Sequence, residues 1–406
     1  MSIIAMILGW VCVLVLGALL GKLVSKLRLP AILGWLLAGV IFGPYGLRLM
    51  SQSLMDRQFY IVITNWMQVA FGLMLGTELV WRKIRKFGKS LMTTTLTQSL
   101  GTFAVVSAAF MVIFRVENVP VFLGLIMGSI ALATAPAPAL SIVREFHTQG
   151  PVTDTLLPMA VLDDVVGIIV FFSVNAAAAH IFSGTSSSPA IIPAMLLLPV
   201  AEGILPGVIC GKVLRKVHGK KGVLFCLLSG ITAAYLLCWG VHAFVAPMVP
   251  ENYMMTGVVF STIFSNMVSD EELEQITSWY SPVLGLALLI SIVNLGAPLD
   301  FHLILGSGIY TAVYIVARAA GKYFGARIGS TATKMPRTVQ KYLGFTLLPH
   351  SGVSLVFTGI ACATLAGYPE LVQILRGTIA AAAVINEIIA VIAAREGFRL
   401  AGEIRK

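Results

Sequence analysis

Two adjacent acidic residues, Asp163 and Asp164, lie in an otherwise apolar stretch, residues 159–172. An ionised carboxylate in a protein core or a membrane is costly unless a cation, a proton or water compensates its charge. Two neighbouring carboxylates also repel each other, so one of them readily accepts a proton. The pair is therefore suited to binding a cation and a proton in alternation.

The segment before the acids contains an interruption. Pro136 and Pro138 each lack an amide hydrogen and clash with the carbonyl group four residues back, so a regular helix cannot continue through them. Within a membrane, such a break is tolerated only inside protein or beside a water-filled cavity. It would offer backbone carbonyls and the Thr134 hydroxyl to a cation. An ordinary proline kink is the alternative interpretation.

A second interruption is predicted at residues 347–353, which contain Pro349, His350 and Gly352. Two interrupted segments in corresponding halves of a chain are typical of secondary transporters built from inverted repeats. His350 could sense protons, although its place in a broken helix favours a hydrogen-bonding role.

Basic and acidic residues within apolar segments need partners, because a charge at membrane depth costs roughly 2.5–3.5 kcal/mol on insertion scales. Arg318 is expected at the depth of the acids, so we expect it to face Asp163, either as a structural ion pair or as part of transport. Lys322 lies one turn further along the same helix face; it is a second candidate charge partner of the acids, with extension to the membrane interface as the alternative. Glu202 and Glu387 are possible accessory residues or helix-packing charges.

The composition is that of an integral membrane protein: 58% of the 406 residues are hydrophobic and 11% are charged, against roughly 25% charged in soluble domains. The net charge of +10 therefore indicates membrane topology, and we expect no nucleic-acid partner. The five cysteines have no metal-ligand spacing, so neither zinc nor disulfides are expected. The acids have no nucleophile–base set or phosphate loop beside them, so we expect neither an enzyme nor a cofactor.

About 20 apolar residues span a membrane, and this criterion predicts an all-α fold with thirteen spans. They cover residues 3–23, 30–49, 58–80, 91–114, 119–143, 151–180, 189–214, 222–244, 249–268, 280–297, 302–328, 338–366 and 370–394. Lys and Arg concentrate in alternate connections, which predicts an external N-terminus and a cytoplasmic C-terminus. Residues 1–394 would form the membrane domain and residues 395–406 a short cytoplasmic tail.

Several motifs, in this order and spacing, resemble the second branch of the monovalent cation:proton antiporter superfamily. They are residues 28–44 in the second span, residues 72–79, the break at 133–136, Leu162-Asp163-Asp164, residues 295–300, residues 317–322 and residues 349–352.

This resemblance implies a homodimer in the membrane lipid in which two broken helices cross beside the acids. A mobile core (91–180 and 302–394) would move like an elevator against a dimerisation scaffold (1–80 and 189–297). Asp164 would accept the cation, Na+ or Li+, and the proton. Asp163 would pair with the basic residue of the eleventh span. We expect a location in a bacterial inner (plasma) membrane.

Two departures from the family pattern are present. Electrogenic relatives typically carry Lys at the basic position, where this chain has Arg318, and many carry an acid where it has Val353. A guanidinium group does not release its proton, so the number of protons exchanged stays open. A potassium/proton exchanger or Kef-like potassium efflux protein is one alternative function, and an organic-anion symporter on a similar broken-helix fold is another.

Overall fold

The computed structural model describes residues 3–26, 31–85, 88–134, 143, 147–182, 191–217, 219–247, 249, 251–297, 308–350 and 352–404. These residues contain sixteen helices. The first eight are α1 (Ile3–Lys26), α2 (Ala31–Phe42), α3 (Gln52–Met55), α4 (Gln58–Gly76), α5 (Trp81–Ile84), α6 (Lys89–Val116), α7 (Phe122–Ile130) and α8 (Pro151–Phe182). The others are α9 (Ile191–Leu214), α10 (Lys220–Phe244), α11 (Tyr253–Ser265), α12 (Asp270–Gly296), α13 (Gly308–Ala332), α14 (Arg337–Thr346), α15 (Gly352–Thr364) and α16 (Pro369–Ala401).

The all-α membrane fold is confirmed, and each predicted span coincides with at least one helix. Seven described helices are long and apolar enough to cross a membrane, or eight if a bent pair within α16 is one span. Three shorter apolar helices are α2, α11 and α15. Of the fifth predicted span, α7 and the residues up to 134 are described, whereas Pro136 and Pro138 lie outside the described residues.

Large apolar side chains cover the outward face of α1. Leu8, Val15, Leu19 and Leu23 are each more than half exposed. In water such a stripe would be unfavourable, but lipid tails are as apolar as leucine, so this face suits a bilayer.

The chain divides into two compact units. The first comprises Met1–Met50, Phe87–Ala178 and Ile292–Lys406, and the second comprises Ser51–Lys86 and Ala179–Ser291. The first unit is built on the pairing of α6 with α13, while in the second α11 packs against α4 and α9. The division of the chain into a mobile core and a dimerisation scaffold stays a prediction.

The pairing of α6 with α13 depends on three glycines at four-residue intervals, Gly321, Gly325 and Gly329. A Cβ atom on Gly321 would lie 2.6 Å from the Cα of Thr102, and one on Gly325 would lie 2.6 Å from the Cα of Gln98. Only glycine allows two helix backbones to approach this closely. The close approach brings the polar side chains of α6 next to the basic side chains of α13.

Candidate ion-binding site

The two acids lie near the middle of α8. Asp163 is 0% exposed and Asp164 is 9% exposed. At a rise of 1.5 Å per residue, they lie roughly 18–20 Å from the start of the helix at Pro151. The two carboxylates therefore sit at mid-depth of an apolar helix, as the sequence predicts.

Both carboxylate oxygens of Asp163 have partners. Ser99 donates a hydrogen bond to Oδ1, while Thr134 and Lys322 donate to Oδ2. The Lys322 ammonium lies 2.6 Å from Oδ2 of Asp163. The amide of Gln98, oriented to satisfy both neighbours, donates to Oδ1 at 3.3 Å and accepts from Lys322 at 2.8 Å. Asp163 is thus the centre of a buried polar network.

Of the two alternatives for Lys322, extension to the membrane interface was wrong, because the side chain meets Asp163 instead. The Lys322 side chain is fully buried, and its ammonium also donates to the hydroxyl of Thr134, at 2.6 Å, and to the carbonyl of Leu132. With the Gln98 amide oxygen, the ammonium has four acceptors, a carboxylate, a hydroxyl, a carbonyl and an amide, for its three N–H donors. These partners compensate a buried ammonium that would otherwise be costly.

Arg318 binds backbone carbonyls from both interrupted segments. Its guanidinium donates to Ala131 (3.0 Å) and Ala133 (2.9 Å) after α7, and to Leu348 (2.5 Å) and Pro349 (3.1 Å) after α14. These carbonyls lie where each helix has ended, so they have no intrahelical partner. A planar group with five donors is suited to joining them. The close ion pair with Asp163 is made by Lys322, one turn further along α13.

The two interruptions lie side by side. Thr134 and His350 form an isolated antiparallel bridge between them, and the Tyr314 hydroxyl lies 3.4 Å from Nε2 of His350. Helix α15 begins at Gly352, directly after the second interruption. Of the residues predicted to form the breaks, Pro349, His350 and Gly352 lie here, and His350 contacts Thr134 at the end of the first break.

The two possible accessory acids are Glu202 and Glu387. Glu202 belongs to the second unit, is 5% exposed and accepts a hydrogen bond from Thr256 at 3.0 Å. The Asp pair belongs to the first unit. The side chain of Glu387 lies outside the described residues. Among the residues that the structure describes, no group of three or more His, Cys, Asp or Glu is placed to hold a metal ion.

Gln98 and Ser99 are site residues that the sequence prediction missed. Two signals could have found them. Residues 93–99 form a hydroxyl- and amide-rich run inside an apolar span, and glycines recur every fourth residue from Gly321 to Gly329. The first signal indicates a polar helix face, and the second indicates which helix approaches closely enough to use it.

Two interrupted helices that meet beside buried, paired charges define a secondary transporter. The chain belongs to the sodium/hydrogen exchanger family, because the model of that family, described as "Sodium/hydrogen exchanger, transmembrane", matches residues 12–394. The resemblance found in the sequence is thereby confirmed, and the protein is an integral membrane transporter of the antiporter type.

Solved structures share the fold. A structure of the sodium proton antiporter MjNhaP1 from Methanocaldococcus jannaschii at pH 8 matches with a TM-score of 0.74 and 20% identity, covering 100% of this chain and 99% of that one. An electron-microscopy structure of the same antiporter matches with a TM-score of 0.69 and 18% identity, covering 100% of both chains. No curated protein is a significant match to the chain.

Proposed function

We propose that this protein exchanges Na+ for protons and that Asp164 binds both. The difference between the two acids carries this proposal. Both oxygens of Asp163 accept hydrogen bonds from Ser99, Thr134 and Lys322, and its side chain is fully buried. Asp164, one residue further along, keeps an exposed fraction of 9%. A carboxylate with some access is the one that an arriving ion can reach.

Exchange at Asp164 follows from competition for one negative charge. A sodium ion prefers hard oxygen ligands, which carboxylate, hydroxyl and carbonyl groups supply. Protonation neutralises Asp164 and removes the attraction for the ion, so either a proton or a sodium ion is bound. We propose the hydroxyl of Thr134, which hydrogen-bonds to the neighbouring Asp163, as a further oxygen ligand of the ion.

Lys322 offers a second proton to the exchange. When a cation draws the Asp163 carboxylate towards itself, the ammonium loses its ionic partner while it is still buried. A buried lysine without a partner readily releases its proton. The arginine at position 318 does not prevent this step, because Lys322 forms the ion pair with Asp163. We therefore propose that two protons are exchanged for each sodium ion.

The movement we propose is of the elevator type, in a homodimer within a bacterial inner membrane. Arg318 is bonded to both interrupted segments, which supports their moving together with α13 as one body. The N-terminus would lie outside and the C-terminus in the cytoplasm.

The direct test is proton flux in proteoliposomes that contain the purified protein. A sodium gradient should drive proton movement in the wild-type protein, and Asp164→Asn should abolish it. Asp154→Asn is the matched control, since Asp154 is an exposed acid in the first turn of the same helix. Proton flux that persists in Asp164→Asn would contradict the proposed mechanism.

The ion is tested in the same vesicles with gradients of Na+, Li+ and K+ and with a panel of organic anions. Proton movement driven by Na+ or Li+ supports the proposal. Movement driven by K+ alone would instead identify a potassium/proton exchanger or an efflux protein. Uptake of an organic anion together with a cation or a proton would identify a symporter.

A further inference from the structure

The carboxylate of Glu403, beyond the end of the last helix, binds the start of the helix that carries the acids. Its Oε1 accepts from the amide of Val152 at 2.8 Å, and its Oε2 accepts from the amide and the hydroxyl of Thr153, at 2.9 and 2.8 Å. Amides in the first turn of a helix have no intrahelical acceptor. Glu403 supplies acceptors from 250 residues away, and it is 3% exposed.

The backbone on both sides of this contact is shaped to allow it. Gly402 ends α16 in the left-handed conformation, with φ of 73°, which favours glycine. Gly150, just before α8, has φ of 154°, and a Cβ atom there would lie 2.6 Å from the Glu403 carboxyl carbon. The Gln149 amide also donates to the Glu403 carbonyl at 3.1 Å. Side chain and main chain thus both take part in the contact.

An apolar cluster continues from this contact towards the interrupted segments. It joins α8, α13, α14 and α16 through Val152, Leu156, Met159, Ala326, Val339, Leu343, Leu347, Ala394 and Phe398. Leu347 directly precedes Leu348, whose carbonyl binds Arg318. The first turns of α8 are therefore fixed against the same helices that support the second interruption.

We propose that Glu403 is a positioning residue for the ion-binding site. By fixing the first turn of α8, it sets the depth of Asp163 and Asp164, which follow about 16 Å further along the helix. Asp163 meets Lys322 at 2.6 Å, so a small movement of the helix along its axis alters this contact. A negative charge at the helix N-terminus also interacts favourably with the helix dipole. The inference rests on the proposed function, because it concerns the same acids.

The test compares Glu403→Ala and Glu403→Gln with Glu396→Gln. Glu396 is a matched control because it lies near the end of α16, the helix that precedes Glu403. Its side chain is 45% exposed and pairs with Arg399 at 2.7 Å on the surface. We expect the amides of Val152 and Thr153 to exchange hydrogen about tenfold faster in Glu403→Ala. Glu403→Gln keeps one acceptor oxygen and should fall between Glu403→Ala and the wild-type protein. The control should match the wild-type protein.

Transport supplies the second measurement. In Glu403→Ala, the Na+ concentration for half-maximal exchange should rise about threefold or more, with a smaller change in the maximal rate. Displaced acids weaken ion binding, and a threefold change corresponds to about 0.65 kcal/mol. Glu396→Gln should stay within about a factor of 1.5 of the wild-type value. If amide exchange is faster in Glu403→Ala but the half-maximal Na+ concentration is unchanged, Glu403 only caps the helix, and the inference is overturned.

A milder pair of variants guards against misfolding. Thr153→Val removes the hydroxyl that donates to Glu403, whereas Thr153→Ser keeps it. The valine variant should speed amide hydrogen exchange and raise the half-maximal Na+ concentration, as Glu403→Ala does. The serine variant should give the wild-type values of both. If both variants behave alike, the inference fails. A wild-type protein without Na+-driven proton movement would contradict the proposed function instead, whereas amide exchange reports on the Glu403 contact alone.

Discussion

The Lys322 ammonium lies 2.6 Å from Oδ2 of Asp163, and neither side chain is exposed. Pairing compensates two charges that would each be costly in this environment. The remaining oxygen of Asp163 and the remaining donors of Lys322 are bound to Ser99, Thr134 and Leu132. The geometry makes this ion pair the centre of the candidate site.

Breaking the pair from one side should destabilise the protein more than removing both charges together. Lys322→Met and Asp163→Asn should each cost about 3–5 kcal/mol, because each leaves an uncompensated buried charge. The double variant should be more stable than the sum of the two effects predicts, by at least about 1 kcal/mol. Thermal unfolding in detergent measures all three variants.

Lys341→Met is the control for this cycle, since Lys341 is exposed on α14; it should change stability by less than about 0.5 kcal/mol. Strictly additive effects of Lys322→Met and Asp163→Asn would show that the ion pair contributes no coupling energy.

Arg318→Lys should destabilise the protein despite keeping the charge. Lysine has three donors on one atom, whereas Arg318 reaches four carbonyls with a planar group. The loss of one charged hydrogen bond costs about 1.5–3 kcal/mol. The unfolding temperature and the rate of Na+/proton exchange should therefore both fall. Arg327→Lys, at an exposed position of the same helix, should leave both unchanged. A fully active, fully stable Arg318→Lys variant would rule out a bridging role.

Gly325→Ala should be destabilising, although alanine favours helix formation. The added Cβ would lie 2.6 Å from the Cα of Gln98, so α6 and α13 must move apart at a cost of about 1–3 kcal/mol. Gly359→Ala, on α15, meets no atom within 4 Å and should stabilise by about 0.5–1 kcal/mol. We expect thermal unfolding to give a lower unfolding temperature for Gly325→Ala and a higher one for Gly359→Ala. Equal effects would contradict the close approach of α6 and α13.

The apparent affinity of the exchanger for Na+ should decrease as the pH falls. Protons and Na+ compete for the Asp164 carboxylate, so protonation lowers the fraction of sites that can bind the ion. Where both Asp164 and Lys322 are protonated before the ion binds, two protons leave for each sodium ion, so the Na+ concentration for half-maximal exchange should rise up to about a hundredfold per pH unit. A rise of about tenfold would indicate that Asp164 alone releases a proton. Initial rates across a series of pH values and Na+ concentrations measure this slope. A half-maximal concentration that is independent of pH would contradict competition at one site.

Much of the fold could be predicted from the sequence because membrane spans are long and apolar. The Asp pair was equally conspicuous, since acids are rare at that depth. The roles of Arg318 and Lys322 were harder to assign. They lie one turn apart on the same helix face, and the register of α13 against α6 decides which of them meets Asp163. That register depends on the glycine contacts with Gln98 and Thr102.

Glu403 could not be found from sequence patterns. Its partners, Val152 and Thr153, are about 250 residues away, and a single acid in a charged tail resembles an ordinary surface residue. A capping side chain usually lies next to its own helix, where sequence reading can recognise it. Here the path of the whole chain brings the acceptor to the helix.

The carbonyls bound by Arg318 also bear on biosynthesis. Arg318 and the Ala131 carbonyl are separated by 187 residues, and the Leu348 carbonyl follows Arg318 by 30 residues. Segments leave the ribosome in order, so the first interruption reaches the membrane long before its guanidinium partner. The ion site is therefore completed only after Leu348 and Pro349 have been synthesised. A truncated chain that ends before residue 318 would contain the acids but lack both Lys322, which pairs with Asp163, and Arg318, which joins the two interruptions.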